Sequence, residues 1–163
     1  MTQPVLLESE TLSIFRQDPP GGSWGINFGG GTNSWALCIE AHRRGYKPDW
    51  VLFADTGSET PETYAGVKAF ANWCKERDWP FEIVRWIRKD GSFESIHDNC
   101  LRTEMLPSKA YRLAGCTSKW KIQPMQKWRK EHGFLPTTVA IGYDNGEESR
   151  KQAAAKVLIL LWG

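Results

Sequence analysis

The sequence has no signal peptide and no apolar stretch long enough to cross a membrane. The apolar run KVLILLW near its end is far shorter than the roughly 20 residues that a transmembrane helix needs. The four cysteines lie far apart and never form a CxxC pair, which is typical of reduced thiols in a cytosolic protein. We therefore expect a cytoplasmic protein without a membrane partner.

Cysteine is also too sparse for an iron–sulfur cluster, which needs several thiolates that converge on it. Cys38 and Cys74 lie on predicted helix faces and are expected in the core. Only Cys100 and Cys116 are left, and two thiolates are too few for one chain. We expect no iron–sulfur cluster and predict no set of metal-ligating residues.

The net charge is small, because 21 basic and 19 acidic side chains give +2. A chain so close to neutral is not expected to coat nucleic acid. Basic residues are nevertheless concentrated between 102 and 131: Arg102, Lys109, Arg112, Lys119, Lys121, Lys127, Arg129 and Lys130, against Glu104 and Glu131. Such a run is either a solvated face or a surface that faces a polyanionic ligand.

Predicted strands and helices alternate along the chain. Strands are predicted at 23–28, 49–54, 81–87 and 137–143. Helices are predicted at 33–44, 60–76, 123–133 and 147–156. Residues 1–22 are predicted to be irregular, and residues 92–118 irregular or weakly helical. The pattern predicts one α/β domain over residues 1–163, with a single open, mostly parallel twisted sheet and helices on both faces, as in Rossmann-like folds. Ligands of such folds bind beyond the carboxyl ends of the strands.

Two familiar phosphate-binding loops are absent, since the sequence contains neither GxxxxGK[ST] nor GxGxxG. It does contain three consecutive glycines, at 29–31, between the first strand and the first helix. Amides in such a turn point at one spot, and the helix start adds partial positive charge, so a phosphate can be held there. The alternative is an ordinary strand-to-helix turn.

A second polar segment, Asp55-Thr56-Gly57, follows the second strand. A carboxylate at this place could orient a ribose hydroxyl or bind Mg²⁺. Thr60 and Pro61 instead fit the cap and the first position of the next helix. Helix capping does not explain Asp55-Thr56-Gly57, which is therefore a candidate ligand-binding segment.

Four segments follow one another along the chain: GGGTNS (29–34), ADTGSETPET (54–63), GCTSKWKIQPMQKW (115–128) and IGYDNGEESR (141–150). In this order they resemble the motifs of the adenine nucleotide alpha-hydrolase superfamily, also called PP-loop or N-type ATP pyrophosphatases. The nearest branch is the phosphoadenosine phosphosulfate reductase family, including its short phage-encoded members. The family's loop usually reads SGGxDS, and its following strand usually ends in DTG followed by ET. The resemblance covers about residues 23 to 150.

The resemblance implies an adenine nucleotide across the strand ends, either ATP or an adenylyl sulfate with or without a 3′-phosphate (PAPS or APS type). Mg²⁺ is a further candidate ion, which the carboxylate of Asp55 could bind. The implied cofactor-binding residues are Gly29, Gly30, Gly31, Thr32, Asn33, Ser34, Asp55, Thr56, Gly57, Glu59, Thr60 and Arg150. The catalytic candidates are Lys119 and Lys121, which would neutralise phosphate or sulfate, and Cys116, whose thiolate nearby basic residues would stabilise.

Some residues depart from the family's pattern. Gly29 and Asn33 stand where the family often has Ser and Asp, and the missing charge at Asn33 speaks against a metal-linked role there. The reductase branch carries a C-terminal cysteine in an ECGxH-like tail, whereas no cysteine follows Cys116 here. A reductase would need Cys116 or Cys100 as its nucleophile. The missing tail also indicates a C-terminus that is truncated relative to the family.

The favoured function is an enzyme, encoded by a phage or prophage, that releases pyrophosphate by attack at the α-phosphate or acts on an adenylyl sulfate carrier. A reductase that uses Cys116 would need an external thiol or sulfur donor protein. A non-catalytic module that sequesters a nucleotide is one alternative. Another is the adenylating component of a nucleic-acid sulfur-transfer system, which the basic run favours. All of these are compatible with a homo-oligomer.

Overall fold

The computed structural model describes residues 22–106, 117–135, 137–143 and 157–161. Its strands are β1 (Trp24–Asn27), β2 (Trp50–Asp55), β3 (Phe81–Arg85), β4 (Thr138–Tyr143) and β5 (Val157–Leu161). They form one sheet in the order β3-β2-β1-β4-β5, and every neighbouring pair is parallel. The predicted open parallel sheet is confirmed.

The helices of the described residues are α1 (Thr32–Arg43), α2 (Pro61–Glu76), α3 (Ile96–Thr103) and α4 (Gln123–Glu131), with a π-helix at Thr117–Ile122. The predicted start of α2 is confirmed, because the Thr60 hydroxyl accepts a hydrogen bond from the amide of Thr63 and Pro61 is the first helical residue. No helix in these described ranges combines the length and the apolar character that crossing a membrane requires.

Helices cover both faces of the sheet, as predicted. On one face α1 and α2 bury Ile26, Phe28 and Phe53, and the rings of Phe28 and Phe70 stack with centroids 3.7 Å apart. On the other face α4 packs against the sheet through Met125, in a cluster with Trp50, Leu52, Ala54, Val84 and Val139. Alternate residues of β2 point to opposite faces, so this buried strand is apolar along almost its whole length.

Some features differ from the sequence predictions. The segment 92–118 contains a well-capped helix, α3, in which the Ser95 hydroxyl and the Asp98 carboxylate each accept a hydrogen bond from the other residue's amide. The apolar run at 157–161 forms a fifth strand, which was not predicted. The predicted helix 147–156 and residues 1–21 of the irregular first segment lie outside the described residues.

The order of the strands places a topological switch point at β1. From β1 the chain continues to β2 and β3 on one side, and then crosses to β4 on the other side of β1. In open α/β sheets the crevice beyond the carboxyl ends at such a point is the usual ligand site. The glycines at 29–31 follow β1 directly and therefore lie at this crevice.

Two glycines test the packing of the sheet and its helices. Gly66 lies inside α2, and a Cβ there would meet no atom of the described residues within 4 Å. Because glycine in a helix costs about 0.5–1 kcal/mol relative to alanine, Gly66→Ala should raise the free energy of unfolding by about that amount in urea titrations. A Cβ on Gly25 would lie 2.1 Å from ring atoms of Trp50, so Gly25→Ala should be strongly destabilising. Similar effects of the two substitutions would contradict the packing of β1 against Trp50.

Candidate functional site

The glycine loop (Gly29–Gly31) joins β1 to α1 at the switch point. Gly30 has φ +78°, and a Cβ there would lie 3.1 Å from Cγ2 of Thr63, so side chains are disfavoured both by the backbone and by the neighbouring helix. Gly29 and Gly31 are different, because a Cβ at either would meet none of the described atoms within 4 Å. The loop is thus packed against α2 at Gly30, while Gly29 and Gly31 have no such contact with the described residues.

The glycine loop and the first turn of α1 present backbone N–H groups that have no acceptor in the described part of the chain. The amides of Ser34 and Trp35 donate to the carbonyl of Gly31 at 3.1 and 3.2 Å, and the Ser34 hydroxyl donates to the same oxygen at 2.7 Å. Within the described ranges, four amides in succession donate to no acceptor: those of Gly30, Gly31, Thr32 and Asn33. These are the orphan donors of a helix start, which carry its partial positive charge.

A glycine of β4 fixes the position of this helix start. A Cβ on Gly142 would lie 2.5 Å from the carbonyl oxygen of Asn33 and 3.0 Å from the amide nitrogen of Ser34. Only glycine therefore lets the first turn of α1 approach β4 so closely. The sequence resemblance includes Gly142 in IGYDNGEESR but assigns it no role.

Asp55 ends β2, and its side chain is only 6% exposed. Its Oδ1 accepts hydrogen bonds from the Gly57 amide and the Tyr64 hydroxyl, both at 2.9 Å. Its Oδ2 lies 2.8 Å from Nε and 2.7 Å from Nη2 of Arg85. Burial alone raises the pKa of Asp55, but these hydrogen bonds and the charge of Arg85 outweigh it and hold the pKa below its ordinary value. The carboxylate lies where it was predicted, with its acceptor positions taken by protein donors.

The residues that follow Asp55 bring Glu59 and Lys121 together. The buried Thr56 hydroxyl donates to Oε1 of Glu59 at 3.0 Å, and Nζ of Lys121 lies 3.2 Å from the same oxygen. Gly57 has φ +69°, and a Cβ there would lie 2.7 Å from the ring of Phe93. The segment is thus closely packed, and Thr60 serves as the cap of α2.

Lys119 is held by protein groups on several sides. Its Nζ lies 3.2 Å from Oε2 of Glu94 and donates to Oδ1 of Asn99 at 2.9 Å. The same ammonium group lies 3.9 and 4.1 Å from the ring centroids of Trp86 and Trp120, within the range of cation–π attraction. These contacts fix the position of the Lys119 ammonium group.

The partner of Lys119 is a buried glutamate that pairs with several cations. The Glu94 side chain is 4% exposed, and its Oε1 lies 2.8 Å from Nε of Arg102 and 3.5 Å from Nη1 of Arg88. The hydrogen bonds from Arg102 and Lys119 keep the pKa of Glu94 below its usual value. Glu94 therefore ties the segment after β3 to α3 and to the π-helix.

The structure brings most of the predicted site residues to one edge of the sheet. The glycine loop and the segment from Asp55 to Thr60 follow the neighbouring parallel strands β1 and β2, and Lys121 contacts that segment through Glu59. Cys116 and Arg150 lie outside the described residues. Sequence reasoning missed the residues whose role depends on neighbours distant in the chain: Tyr64, Arg85, Glu94 and Gly142.

The remaining cysteines and the metal prediction can be placed as well. Cys38 and Cys74 are buried as predicted, and burial raises the pKa of Cys74 to about 12 and that of Cys38 well above its ordinary value. Neither thiol is therefore a nucleophile at neutral pH. In the part of the chain that the structure describes, no three or more His, Cys, Asp or Glu side chains converge as a metal site. The expected Mg²⁺ stays a prediction.

Comparison with protein-family models and with curated proteins gives no match for this chain. The likeness to the PP-loop superfamily consequently depends on the four quoted motifs. The geometry of the strand ends is independent of that likeness, since it follows from the positions of the residues themselves.

Asp55 makes the stability of the fold sensitive to acid. Because its pKa is lower in the folded than in the unfolded chain, where it is about 3.9, its stabilising contribution is complete above that value and is lost as the pH falls through the lowered one. We expect the free energy of unfolding in urea to fall between about pH 5 and pH 3, and to fall less steeply for Asp55→Asn. Glu82→Gln, which removes an exposed carboxylate from β3, is the control. If the free energy of unfolding changes with pH in the same way for wild type and Asp55→Asn, the lowered pKa of Asp55 is contradicted.

Proposed function

We propose that the protein binds an adenine nucleotide with its phosphates on the glycine loop, as in the PP-loop superfamily that its motifs resemble. The observation that carries the proposal is the row of amides from Gly30 to Asn33 at the switch point, which have no acceptor among the described residues. Amides at a helix start hold phosphate oxygens through hydrogen bonds and through the helix dipole. A Cβ on Gly29 or Gly31 would meet none of the described atoms within 4 Å, so neither glycine is packed against the described part of the chain.

Lys121 is the described cation best placed to neutralise part of the phosphate charge. Its side chain is 43% exposed, and it pairs with Glu59, which lies in the loop after β2, next to the glycine loop. A phosphate oxygen can replace or join the Glu59 oxygen as its partner, because charge-assisted hydrogen bonds to either are of similar strength. Lys119 is more strongly committed, through Glu94 and Asn99.

The reaction we propose is attack of an acceptor at the α-phosphate of ATP with loss of pyrophosphate. The alternative substrate is an adenylyl sulfate, from which the sulfur-containing group is transferred. The protein contributes chiefly by positioning the nucleotide and by stabilising charge with loop amides and lysines. We assign no general base. The cytoplasmic location expected from the sequence fits these substrates, and any thiol or sulfur donor would be a separate protein.

A nucleotide-sequestering module without turnover is the second candidate. It is favoured by Asn33, which removes the charge that the family's loop usually carries, and by the engagement of Lys119 with Glu94. The two candidates share the same loop and differ only in whether a product forms. Assays for released pyrophosphate or sulfite in the mixtures used for binding distinguish them.

Gly31 allows a test of the loop that leaves the fold intact. Gly31 caps α1 in an extended conformation, and a Cβ there would meet none of the described atoms within 4 Å. Asp and Asn are both better helix caps than Gly. Both Gly31→Asp and Gly31→Asn should therefore keep the thermal stability of the protein. Gly31→Asp should weaken nucleotide binding roughly 100-fold through charge repulsion, and Gly31→Asn only about 10-fold.

Calorimetric titrations with ATP, adenylyl sulfate and its 3′-phosphorylated form provide the measurement. Binding by the wild type that is lost in Gly31→Asp and partly kept in Gly31→Asn supports the proposal, and the product identifies the branch of the family. Binding without any product favours the sequestering module. Equal binding by the wild type and Gly31→Asp, or no binding by the wild type, would mean that the glycines form only a turn.

A further inference from the structure

Arg85, at the end of β3, has its guanidinium group fixed on two sides. Nε and Nη2 both point to the buried Oδ2 of Asp55, at 2.8 and 2.7 Å. The carbon at the centre of the guanidinium lies 5.2 Å from the ring centroid of Phe93. Asp55 is itself held by Gly57 and Tyr64, so the arginine is anchored to a carboxylate that cannot move freely.

Much of the donor capacity of Arg85 is unused. A guanidinium has five N–H groups, and among the described residues only Nε and Nη2 have an acceptor. In the described part of the chain, Nη1 makes no hydrogen bond, and the side chain is 52% exposed. The nearby arginines differ, because Arg88 and Arg102 both donate to the buried Glu94. Arg85 therefore presents a pre-oriented, positively charged fork to the solvent at the carboxyl edge of the sheet.

Consecutive residues of α2 link Arg85 to the glycine loop. Thr63 packs beneath Gly30, and the hydroxyl of Tyr64, the next residue, donates to Asp55. Asp55 and Arg85 are paired in the register of β2 and β3. Because β3 lies two strands from β1, and strands are spaced about 4.8 Å apart, Arg85 is about 10 Å from the loop along the same edge.

We propose that Arg85 is a second oxyanion-binding residue of this site and that Asp55 is the residue that positions it. The proposal rests on the proposed nucleotide function. The sequence predicts that Asp55 itself contacts the ligand, but both of its oxygens already accept hydrogen bonds from protein donors. The ligand group at the carboxyl ends of β2 and β3 therefore contacts the arginine rather than the carboxylate. That group carries phosphate or sulfate oxygens, for which a planar arginine fork is the best matched side chain.

The oxyanion has two sources that binding experiments separate. It belongs either to the nucleotide, as a phosphate away from those on the glycine loop, or to an anionic co-substrate that reacts with the nucleotide. In the first case Arg85→Gln should weaken ATP binding about 10- to 100-fold, the usual effect of losing a charged hydrogen-bond donor. In the second case it should leave ATP binding unchanged and weaken, by a similar factor, the binding of inorganic sulfate in the presence of saturating ATP.

The matched controls are Arg88→Gln and Arg85→Lys. Arg88→Gln removes the same charge from the same part of the chain, where the arginine is committed to Glu94, and should change neither affinity by more than about twofold. Arg85→Lys keeps the charge without the fork and should restore only part of the lost affinity. Thermal unfolding of each variant verifies that the fold is retained.

The positioning role of Asp55 requires a double-variant cycle. If Asp55 acts on the ligand through Arg85, Asp55→Asn weakens binding in the wild-type background but has no further effect in the Arg85→Gln background. Additive effects would overturn the positioning role. Unchanged affinities for both ATP and sulfate in Arg85→Gln, or an equal loss in Arg88→Gln, would overturn the role of Arg85. Absence of ATP binding by the wild type would instead overturn the proposed function and this inference with it.

Discussion

The buried carboxylate of Asp55 is the contact on which the edge of the sheet depends. A carboxylate taken out of water is tolerated only when its oxygens receive hydrogen bonds, and here the donors come from the following turn, from α2 and from β3. This one group therefore fixes the turn at Gly57, the first turn of α2 and the end of β3 relative to β2. Thr63, in the same helix turn as Tyr64, lies next to Gly30, so the glycine loop packs against α2 beside this carboxylate.

Pairing of cations with carboxylates recurs along this edge. Arg85 pairs with Asp55, Lys121 with Glu59, and Lys119 with Glu94. Each carboxylate is more buried than its cation, so the anionic side of each pair belongs to the protein interior while the cation keeps contact with solvent. Such pairs hold positive charge in place, which would reduce the side-chain entropy that Arg85 and Lys121 lose on binding the proposed anionic ligand.

Features with local signals could be predicted from the sequence. The strand ends, the glycine turn after β1 and the Thr60 cap depend on residues within a few positions of one another. Arg85 could not be recognised as a site residue, because its importance depends on the register of β3 against β2 and on Tyr64 of α2. Gly142 is a comparable case, since its need to be glycine comes from a contact with Asn33 over a hundred residues earlier. The π-helix and Glu94 likewise depend on contacts across the fold.

We propose that the amides from Gly30 to Asn33 hold the phosphates of a nucleotide. The most direct test is a titration of ¹⁵N-labelled protein with ATP, followed through the amide resonances. We expect the largest chemical shift changes at Gly30, Gly31, Thr32 and Asn33, because the amide proton resonances move when those amides acquire an acceptor. Shifts confined to other parts of the sheet, or none at saturating ATP, would contradict it.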